Sequence, residues 1–285
     1  MRVTHQVHEK RTPIENWEKF TKSFLSLTRG ATEIKKKGYH SLILDKDSRL
    51  ELFSPDHEYP DSIRASFKRW ENISTPLSFS EWQQYQLCPV PPEHRVTYFD
   101  EESRKEHRID FLPSGEDVKL IRTTKDPFIT SALKDSRGKP TSCCCVIGHD
   151  GHLYAGPVIV GRLHHSSFMS GEAVIFAGEL KTDSKGHITT ITNSSGHYKP
   201  EKENVLDALE WFVEKGVDLD GVDLVIVEKD ECFDNESHYN ASEYLETKGE
   251  CSAKVFEEET LSELCGFSSR IHRRDYDSES DFERL

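Results

Sequence analysis

The sequence lacks any run of about 18 consecutive apolar residues, so it holds no candidate membrane-spanning helix. The start, MRVTHQVHEKRTPIENW, has no apolar core of the kind a cleavable secretory signal needs. That excludes one export route and leaves others open. Positive charge is in deficit: 37 Lys and Arg stand against 51 Asp and Glu, a formal net charge of −14. A duplex-binding surface needs a basic face, so nucleic acid is not expected as the main partner. The acidic balance suits solubility and a basic protein partner. Cysteine is odd in number, seven residues whose spacing matches no disulfide framework, which points to reduced thiols. HExxH and other convergent zinc patterns are missing, as are Gly-x-Ser-x-Gly and any local Cys-His signature. No metal site is expected, and serine or cysteine hydrolases of the familiar kinds are weakly supported. No repeat or long heptad is present, so a monomer is expected.

What is present is a chain of 285 residues, long enough to bury a sizeable core. Residues 1–37 read as an N-terminal helical segment. Thr12-Pro13-Ile14-Glu15 has the form of a helix start, and Trp17, Phe20, Phe24 and Leu27 follow at helical spacing. Residues 38–228 read as the core. It opens on a strand from Tyr39 to Asp45 and carries a helical insertion at 46–92, rich in Trp. From Arg95 the pattern turns to strands: Val96–Phe99, His107–Phe111, Val118–Arg122, then Cys143–Ile147 and His152–Gly156 around the turn His149-Asp150-Gly151. Adjacent thiols in Cys143-Cys144-Cys145 face opposite ways in a strand and cannot converge on one metal. Val205, Leu206, Leu209, Phe212 and Val213 predict a helix that Gly216 stops, and Val222–Val227 a buried strand. Residues 229–267 read as irregular and acidic, with a helix near Ser242–Lys248, and 268–285 as a disordered tail.

Polar chemistry concentrates between Gly161 and Pro200, GRLHHSSFMSGEAVIFAGELKTDSKGHITTITNSSGHYKP. It reads as strand segments joined by turns, with a hairpin around Asp183-Ser184-Lys185-Gly186. His164, His165, Ser166 and Ser167 lie on one side of Glu179, His197 and Tyr198 on the other. Hydroxyls, imidazoles and a carboxylate on neighbouring strands suit a ribosyl ligand, since a fixed carboxylate stabilises the positive charge that develops when a glycosidic bond breaks. His-Ser pairs that satisfy backbone groups at a strand end are the plainer reading. Asp45 reads on its own as a turn residue.

The words Leu153-Tyr154-Ala155-Gly156, Leu163-His164-His165-Ser166-Ser167-Phe168-Met169-Ser170-Gly171, Ala177-Gly178-Glu179-Leu180 and Ser195-Gly196-His197-Tyr198-Lys199-Pro200 resemble the IQM family of plants and its bacterial and fungal relatives. The likeness runs from about Gly38 to Val227. Among the bacterial members the chain resembles the CteC-type effectors, PARP-like mono-ADP-ribosyltransferases that modify ubiquitin. That resemblance implies an α+β fold with a mostly antiparallel core of split sheets, and NAD as co-substrate. It implies transfer of ADP-ribose to a protein hydroxyl, with a threonine of ubiquitin as acceptor, by a secreted effector acting in a host cytosol; the alternative is a cytoplasmic protein. Carried over residue by residue, it places Asp45 and Glu179 as the catalytic pair, with Glu172 and Glu203 as rivals to Glu179. His164, His165, Ser166, Ser167, His197 and Tyr198 would line the NAD site. The chain has no IQxxxRGxxxR helix, so the calmodulin role of plant members is not implied. The alternative of another class is a catalytically inactive IQM-like protein-interaction module.

Overall fold

A computed structural model describes residues 28–44, 60–77, 79, 82, 96–115, 117–229 and 234–254. Within them eight strands form: β1 Arg108–Ser114, β2 Asp117–Arg122, β3 Cys143–Gly148, β4 Leu153–Pro157, β5 Val174–Thr182, β6 Ile188–Thr192, β7 Asp223–Lys229 and β8 Asp234–Asn240. The helices are α1 Ala31–Lys36, α2 Pro60–Glu71, α3 His165–Phe168, α4 Lys202–Glu214 and α5 Ala241–Glu246. All eight strands hydrogen-bond into one sheet in the order β2-β1-β4-β3-β5-β6-β7-β8. Every pairing is antiparallel except β6 with β7, which the α4 crossover makes parallel. The α+β, mostly antiparallel expectation therefore holds. The split into separate sheets does not, because β3 pairs with both β4 and β5 and joins what would have been two halves.

Alternation along the strands divides the core between the two faces of the sheet. On one, Val205, Ala208, Leu209 and Phe212 of α4 pack with Phe176, Leu180, Ile191 and Leu224. On the other, Cys144, Val146 and Ala177 pack with Phe168, Met169 and Tyr198. Cys143 and Cys145 belong to the first cluster and Cys144 to the second, as a strand's period of two demands. A separate aromatic cluster forms where Trp70 of α2 meets Phe79, with its indole N–H donating to the Leu77 carbonyl at 3.1 Å.

The sheet curls so that the β5–β6 turn reaches the β2 edge. Leu120 N–H donates to the Gly186 carbonyl at 2.8 Å. Gly186 has φ +94°, and a Cβ there would lie 2.7 Å from the Leu120 carbonyl oxygen, so the turn needs glycine. Thr182 closes the same seam. Its Oγ1 donates to the Phe128 carbonyl (2.7 Å) and accepts from Thr130 N–H (3.0 Å), while its own N–H donates to Thr130 Oγ1 (3.0 Å). Thr182→Val keeps the shape and strands two buried backbone groups. It is expected to lower stability by about 2 kcal/mol, read from the urea midpoint.

Several local expectations change. The strand expected over Tyr39–Asp45 contributes one bridge, Leu42 to Val174. Val96–Phe99 forms no strand; its N–H groups at Thr97 and Phe99 bond the carbonyls of Arg162 and Ser167. The segment read as irregular after 229 also holds β8, while the helix expected near Ser242–Lys248 is present as α5, capped by the Asn240 side chain accepting from Glu243 N–H at 3.1 Å. The N-terminal stripe from Trp17 to Leu27, Asp45 and the tail lie outside the described residues. Among the described residues no helix is long and apolar enough to cross a membrane.

Candidate functional site

The HHSSF word forms one turn of helix, α3, where a strand was expected. His164 is the extended residue before it, and its N–H donates to Ser167 Oγ at 3.0 Å. A four-residue helix has no room to show a period. This local hydrogen bond, which a serine three residues after the cap position allows, sets its start. The two histidines diverge. The His164 ring accepts from Gly161 N–H through Nε2 (3.2 Å) and stands 5.8 Å, centroid to centroid, from the ring of His197. His165 turns inward, its Nε2 2.8 Å from the carbonyl oxygen of Gly178 on β5. Both atoms are buried, so Nε2 carries the proton and donates.

Ser166 and Ser167 are wholly buried. The Ser167 carbonyl receives Phe99 N–H at 2.9 Å, while Ser166 Oγ has no hydrogen-bond partner among the described residues. Tyr198 is buried as well, and its hydroxyl donates to the Glu172 carbonyl at 2.7 Å. Burial, with the Glu172 charge nearby, pushes its phenol well above the ordinary range, so it stays protonated. Glu179 lies on β5 opposite Cys144 and Thr192 and is 3% exposed. Burial raises the Cys143, Cys144 and Cys145 thiols, and the Glu179 charge adds to the effect.

Of the rival carboxylates, Glu172 is held by His149 Nε2 at 2.9 Å and Arg29 at 3.5 Å. Glu203 is exposed in the first turn of α4. The fold thus brings His164 to His197, His165 to the strand of Glu179, and Tyr198 to Glu172. Asp45 falls outside the described residues.

His107 supports the same face of the sheet. It stacks on Phe99 (centroids 4.4 Å apart) and meets Phe168 edge-on at 5.5 Å. Burial lowers its pKa below the usual histidine value. The unfolded chain therefore takes up this proton first as pH falls. The stabilising contribution is whole above about pH 6.5 and is lost on acidification below it. His107→Phe is expected to flatten the fall in urea midpoint between about pH 6.5 and 5.

Two polar groups escaped the sequence reading: Asp223 with His238 (2.7 Å) and Lys254 (2.7 Å), and Asp183 with His187 and Ser114. Asp183 and His187 were readable as a turn pair four apart; Ser114 carried no signal.

Residues 115–205, from the β1–β2 turn to the start of α4, match the profile of the IQ motif-containing protein middle domain. This stretch is IQM-like. It contains α3, Glu179, His197 and Tyr198. The chain is similar to three Arabidopsis thaliana proteins: IQ domain-containing protein IQM3 at 26% identity (66% of this chain, 43% of the relative), IQM2 at 26% (64% and 31%) and IQM5 at 27% (71% and 42%). The chain spans less than half the length of each. No solved structure matches the chain.

These relatives correct the expected function. The likeness to IQM proteins stands, but the matches are IQ domain-containing proteins, and the resemblance to CteC-type effectors has no support among them. ADP-ribose transfer, ubiquitin as partner and a virulence role go with that resemblance and are set aside.

Proposed function

We propose that this chain is a protein-interaction module of the IQM-like kind, in which the histidine-bearing words brace the sheet. The supporting observation is that His165, Ser167 and Tyr198 direct polar atoms to backbone groups of the same fold, within the stretch that matches the IQM middle domain. The IQ in the relatives' names points to a calmodulin-type partner, a protein that grips amphipathic helices by their apolar anchors. This chain has no Ile-Gln pair, so the contact would use another segment. Its sequence offers Trp17, Phe20, Phe24 and Leu27 at helical spacing, with Lys19 and Lys22 among them, in a chain otherwise acidic. Apolar anchors flanked by cations suit an acidic, methionine-lined groove.

The test is calorimetric titration of the whole chain with calmodulin, in calcium and in chelator. Saturable binding is expected in one of the two, weakened about tenfold or more by Trp17→Ala. Absence of binding in both removes the partner. Consumption of NAD by the purified chain would sink the module reading.

A further inference from the structure

Ser114 ends β1, Asp183 opens the β5–β6 turn and His187 closes it. The curl of the sheet brings them together although Ser114 and His187 are 73 residues apart. His187 Nε2 lies 3.3 Å from Ser114 Oγ, and Nδ1 lies 3.2 Å from Asp183 Oδ2. The other carboxylate oxygen, Asp183 Oδ1, accepts N–H from Lys185 (2.8 Å) and His187 (2.9 Å). Partial burial opposes the carboxylate's charge. The hydrogen bonds from His187 and Lys185 outweigh it and hold the carboxyl below its usual range. An ionised Asp183 takes the Nδ1 proton as donor, which leaves the Nε2 lone pair facing the serine.

We propose that Ser114, His187 and Asp183 form an acyl-transfer centre acting on esters of short apolar acids. The roles follow from the order of contacts: nucleophile, general base, and the carboxylate that orients the base. The scaffold is rigid where it must be. The turn bearing Asp183 and His187 is pinned to β2 by the Leu120–Gly186 hydrogen bond, and Ser114 is paired with Asp117 across the β1–β2 hairpin.

Access is open. A Cβ placed on Gly115, the residue after the serine, would meet nothing within 4 Å. Leu112, two residues before Ser114 and so on the same face of β1, is 41% exposed and offers an apolar platform for the acyl group. In the reaction Ser114 Oγ attacks the ester carbonyl as its proton passes to His187 Nε2. The bond to the alcohol oxygen then breaks, and His187 returns the proton to the leaving alcohol. Water attacks the acyl-serine with its proton taken by His187, the carboxylic acid leaves, and Ser114 is protonated again. The centre does not rest on the interaction role, so a negative calmodulin titration leaves it untouched.

The test is labelling of the intact chain with a fluorophosphonate, in which Ser114 Oγ displaces fluoride from phosphorus and its proton goes to His187. Mass spectrometry is expected to find the adduct on the peptide that holds Ser114. Ser114→Ala should abolish it, and His187→Gln should slow labelling about a hundredfold. The same variants should lose hydrolysis of p-nitrophenyl acetate while keeping the wild-type thermal unfolding midpoint. No adduct on the folded chain, an adduct that survives Ser114→Ala, or a rate indifferent to His187→Gln would each overturn the proposal.

Discussion

Gly178→Ala is expected to destabilise the chain by about 3 kcal/mol or more, the largest effect of any single methyl in the central strands. A Cβ at Gly178 would sit 2.0 Å from the backbone carbonyl oxygen of Thr192 and 2.7 Å from the Phe176 ring. Phe176 is fully buried against α4 and has nowhere to go. Thr192 is held on both sides, by Glu179 on β5 and by Val225 on β7. Relief therefore means separating β6 from its neighbours. Urea unfolding followed by tryptophan fluorescence measures the shift in midpoint. An unchanged midpoint would mean that β6 moves aside freely, contrary to its two-sided pairing.

His165→Ala should cost about 2–3 kcal/mol, and for a reason tied to function. Removing the ring leaves the Gly178 carbonyl buried without its donor and opens a space beneath α3. His165→Gln, which retains a donor, should recover part of the loss. Equal losses in the two variants would tie the cost to the vacated space and not to the hydrogen bond.

Much of the sheet was legible because its strands announce themselves in pairs. His149-Asp150-Gly151 marks the β3–β4 turn, and the alternating fate of Cys143, Cys144 and Cys145 followed from strand geometry alone. α4 was plain from Val205, Leu209 and Phe212, whose stripe matches the face it buries. β8 was not legible. DNESHYN has no apolar alternation, and it is a strand because β7 offers it an unbroken edge from Asp223 to Lys229. α3 was misread because a single turn set by a cap leaves no periodic trace. The Ser114–His187 contact was invisible for another reason: it exists only once two turns from opposite parts of the chain meet at the curled edge. At the His-rich words the partner of each imidazole was not legible, because whether a ring meets solvent or a carbonyl depends on the strand behind it.

β3 carries three neighbouring sulfhydryls between β4 and β5, as far from either rim of the sheet as the strand order permits. Each is sealed from water and kept in its unreactive neutral form. An alkylating reagent can reach them only when the middle of the sheet parts, never through loosening at β2 or β8. The chain thus carries its own clock for central opening, and the modification rate of these three thiols under native conditions reports how often the innermost strands separate.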